Sequence, residues 1–365
     1  MTRAIELALL GGGHVHPNPC VGAVIVKDGL IVAEGYHHKC GDLHAERDAL
    51  KNAKEKNIDV AGCDMYVTLE PCCHTGKQPP CTQAIIESEI KRVFIGSRDP
   101  NPLVDGKGVK QLEEAGIEVI RDFEKEECDK INSIFFHYIK TKMPYVIAKY
   151  AMTADGKTSL STGESKWITG EVAREDVHKT RGTTAAIMCG INTVLADDPL
   201  LNCRIEGKQY KQPVRVILDR ELKLSTKSRI AQTAREYKTI LFCAKEDDSK
   251  KAELEKCGIE IIKAKTKDGH LDLEDVLKTL GEKQIDSVLV ESGGMLNASL
   301  FFAEDKCLVN EVHCYVASKI TGGKENEIHS PVQGKECKSL SDCVKMKLIE
   351  TKVLGDDVLL KFKTC

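Results

Sequence analysis

No stretch of the 365 residues approaches an uninterrupted apolar span of about 18, the length a membrane helix needs. The opening MTRAIELALLGGG holds only a short apolar stretch broken by Glu6, so it does not read as a secretion signal, and a soluble cytoplasmic protein is expected. A basic excess is also missing: 53 Lys and Arg stand against 56 Asp and Glu, for a net charge of −3. Bulk binding to a phosphate backbone is therefore disfavoured, and neither nucleic acid nor a membrane is expected as a partner. There is no internal repeat and no low-complexity tract, and no G-x-G-x-x-G follows a strand, so a Rossmann dinucleotide domain is not supported. Tryptophan occurs once, at Trp167.

Apolar residues make up 41% of the chain, enough to give each of two ordinary domains a core, and extended disorder is excluded. The sixteen cysteines are spread along a long chain and read mainly as reduced thiols used as small hydrophobes. Cys72, Cys73 and Cys81 are clustered and need another explanation.

In the first part VGAVIVKDGLIVAEG reads as a hairpin turning at Lys27–Gly29, and HAERDALKNAKEK as a helix. DMYVTLE, CTQAIIESEI and KRVFIGSRD follow as strand, helix and strand, which predicts a three-layer α/β/α domain with a largely parallel latter half. A charged helical stretch from Arg121 to Lys142 precedes Pro144, so the domains are set at 1–143 and 144–365. In the second, PYVIAKYAM, TAAIMCG, PVRVILD, TILFCA, IDSVLVESGG and EVHCYVA are strand candidates, LDLEDVLKTL a helix, and the closing stretch two antiparallel strands.

His44 and Glu46 fall at a helix start, Cys72 follows a strand, and Cys81 opens the next helix after eight intervening residues. One imidazole and two thiolates form a soft three-ligand set for Zn²⁺ that leaves a fourth tetrahedral position open, the pattern of a catalytic site. Helix starts also favour thiolates. A carboxylate beside such a metal can take a proton from water and pass it to a leaving amine, which is hydrolytic deamination of an amino-substituted heterocycle. The alternative is a closed structural site with Cys73 or His74 as fourth ligand, which would leave Glu46 unused.

The general zinc-deaminase signature pairs H-x-E with P-C-x-x-C, and here the second half is stretched to Pro71-Cys72-x8-Cys81. HAE together with TLEPCCHTGKQPPC closely resembles the deaminase half of the bifunctional deaminase and reductase family of riboflavin biosynthesis. KYAMTADGKTSLSTGESKWITG and DVHKTRGTTAAIMCGINTVLADDPLLNCR resemble its reductase half, in the family's order and over nearly the whole chain. The resemblance implies a cytidine deaminase-like domain followed by a dihydrofolate reductase-like α/β domain, with Zn²⁺ and NADPH as cofactors. The implied reactions are deamination of a phosphoribosyl pyrimidine and then reduction of its ribosyl group to ribityl. A homo-oligomer is expected, since such enzymes commonly associate.

By the same resemblance Asn18 is expected at the deaminase substrate, with His37 just before the zinc helix. Lys77, in the loop between the cysteines, and Asp99 with Asn101 are candidates for holding a phosphorylated ribose, since a phosphate needs cations and free amide donors. Asp99, Asn101, Gly106 and Gly108 equally suit a surface loop. In the second half Ala151, Trp167, Thr193 and Asp197 look like NADP contacts, and Ser165, Arg181, Leu201, Arg204 and Glu291 like substrate contacts. Gly293, Gly294, Met295, Leu296, Asn297, Ala298 and Ser299 resemble a cofactor loop, where paired glycines before a helix allow close approach to a pyrophosphate. Arg181 and Arg204 fit chemically, because a guanidinium grips phosphate with two hydrogen bonds. Taken singly, an arginine reads as surface charge, and Trp167 equally as core packing or as cofactor stacking. Two other readings stay open: a nucleoside or tRNA-type deaminase with an unrelated second domain, and a zinc-stabilised module that senses NADP(H).

Overall fold

A computed structural model describes the chain except residues 77, 161, 206, 208–209, 304–305, 324–328 and 335–336. The chain divides into two compact units, Met1–Lys142 and Met143–Cys365. None of the sixteen cysteines is in a disulfide.

The first unit runs α1 (Thr2–Gly11), β1 (Gly22–Lys27), β2 (Leu30–Tyr36), α2 (Ala45–Glu55), β3 (Asp64–Leu69), α3 (Cys81–Glu87) and β4 (Arg92–Ser97). It closes with α4 (Lys107–Glu114), β5 (Glu118–Ile120), α5 (Lys125–Ile131) and α6 (Ser133–Thr141). Among the described residues its sheet has the order β2-β1-β3-β4-β5. β1 is antiparallel to both neighbours, and β3, β4 and β5 are parallel. Asp28 and Gly29, both at positive φ, turn the β1–β2 hairpin, as an Asp-Gly pair does in a two-residue loop. Ala23, Ile25, Met65, Val67, Val93 and Ile95 form the sheet's part of a buried core, against which Ala45, Ala49 and Ala53 of α2 pack. Gly35 permits that approach: a Cβ built there would collide with the Ala49 amide nitrogen. The segment read as a loop is looped only to Gly106. Gly108 lies inside α4, where a Cβ would strike the Pro71 carbonyl, so its role is close packing under the Glu70–Cys72 turn.

The second unit begins with β6 (Tyr145–Thr153), α7 (Glu171–Thr183), β7 (Ala186–Gly190), α8 (Ile191–Asp197) and β8 (Val214–Leu218). It continues with α9 (Arg229–Gln232), β9 (Thr239–Cys243), α10 (Asp248–Lys256), β10 (Ile259–Lys263) and the small pair β11 (Thr266–Lys267) and β12 (His270–Leu271). Last come α11 (Leu273–Glu282), β13 (Ser287–Glu291), α12 (Gly294–Phe301), β14 (Glu311–Ala317), β15 (Met346–Leu354) and β16 (Asp357–Thr364). Its main sheet, among the described residues, has the order β10-β9-β8-β7-β13-β6-β14-β16-β15. It is parallel from β10 to β14, and β16 and β15 add antiparallel strands at one edge. The parallel strands are near-continuous apolar runs because both faces are covered; all five residues of β9 are buried. α11 buries Val276, Leu277 and Leu280, and the Asp272 carboxylate caps it by accepting from the amides of Glu274 and Asp275.

Candidate active sites

In the first unit His44 is the residue before α2, and Glu46 lies in its first turn, buried. Two neighbours of the motif hold that helix start. Asp48 accepts from the Tyr36 amide at 3.2 Å and pairs with His38 at 3.0 Å, tying α2 to the end of β2. Arg47 donates to the carbonyls of Pro79 and Pro80 at 3.1 and 2.7 Å, which fixes the loop between the two cysteines. Cys72 follows β3, and the backbone N–H of Cys81, first residue of α3, points at its sulfur from 3.4 Å.

His44 Nδ1 lies 3.4 Å from both Cys72 Sγ and Cys81 Sγ. Tetrahedral zinc with ordinary Zn–N and Zn–S bond lengths would place nitrogen and sulfur about 3.6 Å apart, so the three donors fit the ion. Among the described residues they are the one His/Cys/Asp/Glu group so gathered. Cys73 instead directs its thiol toward the Leu103 carbonyl at 3.6 Å, and His74 stands outside the group. The alternative, a closed tetrad with Cys73 or His74, is not formed. Hydrogen bonds from Cys81 and His44 pull the Cys72 thiol well below its ordinary pKa, overcoming burial, and the bond to Cys72 raises that of His44. Burial raises the Glu46 carboxyl above its ordinary range.

His44, Glu46 and Cys72 open on a cavity of about 340 Å³ that also takes in Asn18, His37, His74, Asp99 and Asn101. His37 is buried, and its Nδ1 donates to the Leu43 carbonyl at 2.9 Å. Burial lowers its pKa, so the ring is neutral and Nε2 accepts from the Asn18 side-chain amide at 3.1 Å. That bond turns the Asn18 carbonyl oxygen away from the ring. His74 Nδ1 is buried with no hydrogen-bond partner among the described residues. Asp99 is pushed up to about 7 by burial, while one of its oxygens accepts from the Asn101 amide at 2.8 Å. Lys77 lies outside the described residues.

The second unit carries a cavity of about 970 Å³ at the C-terminal ends of β6, β7 and β13, where parallel α/β sheets place their ligands. Ala151, Ser165, Trp167, Arg181, Thr193, Asp197, Leu201, Arg204 and Glu291, expected from separate blocks of sequence, all line it. Trp167 is 64% exposed, so the core-packing reading fails, and Arg174 lies over its ring at 4.7 Å. Arg181 spends its fork on Glu291, with Nε and Nη2 at 2.6 and 2.9 Å from the two carboxylate oxygens. Lys149 adds a second cation 3.6 Å from Glu291. Burial alone would raise the Glu291 carboxyl, but Arg181 and Lys149 together hold it at about 2. His178 is driven down to about 4 by burial and by the charges of Arg181 and Arg204, so it is neutral at pH 7. Arg204 is lowered by burial, Arg181 and Arg229, and among the described residues neither Arg204 nor Arg229 has a carboxylate within ion-pair distance. Leu201, at positive φ, is steadied by the fully buried Arg215, whose guanidinium donates to the neighbouring Leu200 carbonyl at 3.2 Å.

Residues Gly293 to Ser299 are not among the described lining of this cavity. α12 does begin at Gly294, but a Cβ there would lie 2.7 Å from the Ser330 carbonyl, and Asn297 donates to the Pro331 carbonyl at 2.8 Å. The segment around Ser330–Gln333 packs on Gly294 and is braced by buried Asn297, while Gly293, Met295 and Ser299 stay exposed, with open space around Gly293. Lys149, Arg174, His178 and Arg229 were not singled out from sequence. For Lys149 a signal existed, since it shares a face of β6 with Ala151 at the two-residue period of a strand.

Residues 1–97 match the family of cytidine and deoxycytidylate deaminase zinc-binding regions, and residues 144–360 match the RibD C-terminal domain. The riboflavin biosynthesis protein RibD of Actinobacillus pleuropneumoniae is 50% identical over 362 residues, covering 99% of this chain and 94% of that protein. The chain belongs to the RibD family. Solved RibD-family structures agree. A Thermotoga maritima deaminase and reductase is 40% identical with a TM-score of 0.86, and Acinetobacter baumannii RibD, form 1, is 36% identical with a TM-score of 0.87. Each match covers 100% of this chain and 97% of the other. This RibD-family chain is therefore a bifunctional deaminase and reductase of riboflavin biosynthesis, with a cytidine deaminase-like first unit and a RibD reductase second unit. Zinc and NADPH are its cofactors, and the donor triad and the cationic, Trp167-bearing cavity suit them.

Proposed function

We propose that the first site deaminates 2,5-diamino-6-ribosylamino-4(3H)-pyrimidinone 5′-phosphate and that the second reduces the ribosyl chain of the resulting 5-amino-6-(5-phosphoribosylamino)uracil to ribityl. The solved Thermotoga relative is named a diaminohydroxyphosphoribosylaminopyrimidine deaminase and 5-amino-6-(5-phosphoribosylamino)uracil reductase. The observation that carries the reading is His44 Nδ1 at 3.4 Å from both sulfurs, with buried Glu46 on the same cavity.

Held by His44, Cys72 and Cys81, zinc supplies Lewis-acid activation of the hydrolytic water. Glu46 takes a proton from that water and returns it to the departing amine; the water's oxygen ends on the ring carbon, the C–N bond breaks and ammonia leaves. The Asn18 carbonyl oxygen, oriented by His37, accepts from a ring N–H, and His74 Nδ1 offers a further polar contact. Asp99 and Asn101 hold the ribose.

NADPH, when bound, supplies the hydride. Ala151, Ser165, Trp167, Thr193 and Asp197 shape the cavity for the two ligands, and Arg204 with Arg229 takes the substrate phosphate as an unneutralised cationic pair. Arg181 and Lys149 keep Glu291 ionised and fixed, so it orients the sugar as a hydrogen-bond acceptor. The substrate is a small molecule, and no nucleic acid or membrane partner enters the reading; no helix among the described residues is long and apolar enough to cross a membrane. A cytoplasmic site of action suits an enzyme using NADPH and a phosphorylated sugar. Exposed Leu348, Ile349 and Val353 on the edge strand β15 support self-association.

Glu46→Gln keeps the shape and the zinc ligands but cannot carry the proton. Ammonia release should fall at least about a hundredfold while zinc content and NADPH oxidation on deaminated substrate persist. Near-normal ammonia release would defeat the assignment.

A further inference from the structure

The match to the deaminase zinc-binding region ends at residue 97, yet part of the deaminase cavity is built by α6, which begins at Ser133. Phe135, Tyr138 and Ile139 line it, and their spacings of three and four put them on one face of the helix. Phe135 and Tyr138 are the only benzenoid rings of the described lining.

That helix is fastened to the rest of the site. Asn132, 2% exposed at the junction of α5 and α6, exchanges two hydrogen bonds with the Cys20 backbone. The Cys20 N–H donates to Asn132 Oδ1 and Asn132 Nδ2 donates to the Cys20 carbonyl, each at 2.9 Å. The side-chain amide thereby pairs as a neighbouring strand would, and it grips the segment that carries Asn18. Within α5 itself the Ser97 hydroxyl donates to Asp129 at 2.6 Å, and Cys128 packs against Gly96, where any side chain would collide with it. Lys142 Nζ stands 5.7 Å from the Tyr138 ring centroid and steadies the ring.

A flat heteroaromatic ring in a site with a polar reacting edge needs an apolar face to lie on, and aromatic rings supply the largest such area for the least lost freedom. We propose that Tyr138, backed by Phe135 and Ile139, is the surface against which the pyrimidine packs, so that α6 is a specificity element of the deaminase lying outside its zinc motif. The proposal rests on the deaminase reading above.

The test uses the full-length, zinc-loaded chain with Tyr138→Ala and Tyr138→Phe, measuring ammonia release from the phosphoribosyl diaminopyrimidine, zinc content, and NADPH oxidation on deaminated substrate. Tyr138 is only part-buried on a helix, where alanine is accommodated, and zinc content reports that the unit is folded. Tyr138→Ala should raise KM for deamination at least about tenfold with zinc and reductase activity unchanged, and Tyr138→Phe should stay near wild type. Asn132→Ala should raise the same KM by loosening α6. An unchanged KM in Tyr138→Ala, or a fall in kcat alone, overturns the packing role. No ammonia from the wild-type chain would overturn the deaminase reading and this proposal with it.

Discussion

Arg181→Met strands a carboxylate. Glu291 is 11% exposed, and its two oxygens are held by the Arg181 fork at 2.6 and 2.9 Å, with Lys149 at 3.6 Å. Held at about 2 against an ordinary 4.5, and at about 1.4 kcal/mol for each tenfold change in proton affinity, the carboxyl is favoured in its ionised form by about 3 kcal/mol net of burial. Breaking a buried pair by removing one partner costs about 3–5 kcal/mol, which agrees. Because the folded pKa is depressed, this stability is present above pH 4.5 and is lost as pH falls through about 2. In the variant, burial dominates and lifts Glu291, so the stranded group takes up a proton in the mildly acidic range. Urea unfolding at pH 8 should show a loss of about 3 kcal/mol that shrinks at pH 5, and Glu291→Gln added to Arg181→Met should recover about 2 kcal/mol of it. Arg181→Lys, with charge but no fork, should fall between. A loss below about 1 kcal/mol, a deficit equal at both pH values, or no recovery in the double variant would refute the reasoning.

Asp99→Asn should act with the opposite pH dependence. Burial raises Asp99 from 3.8 to about 7, so its contribution to stability is present below pH 3.8 and lost as pH rises through 7. The asparagine variant should be the more stable protein at pH 8, by up to about 4 kcal/mol, and nearly equal to wild type at pH 4; a variant less stable at pH 8 contradicts this. Gly35→Ala should push α2 off β2, costing about 3 kcal/mol and lowering zinc content because His44 rides on that helix; retention of both zinc and melting temperature would show that the strand yields instead.

The zinc centre was legible because its chemistry is written in residue types at element boundaries: His44 before α2, Cys72 after β3, Cys81 opening α3. Most strands were legible from their apolar runs, though β10 and the two-residue β11 and β12 were not read as strands. Nor were α4 and β5 legible, since α4 buries only Gly108, Val109 and Leu112 after a stretch rich in turn residues, and β5 is three residues long. The Arg181–Glu291 pair joins residues 110 positions apart, so only the folded sheet reveals that the fork expected for a phosphate is taken by a carboxylate. At the start of α12 the packing of the segment around Ser330–Gln333 on Gly294 is invisible to local reading, while exposed Gly293 keeps the open approach that the paired glycines suggest.

That one chain holds two chemically independent centres is tested most directly by chelation of the full-length protein followed by both assays on the same sample. Ammonia release should vanish and return on adding zinc, whereas NADPH oxidation with deaminated substrate should be unchanged throughout. Loss of NADPH oxidation in step with the zinc would contradict the account.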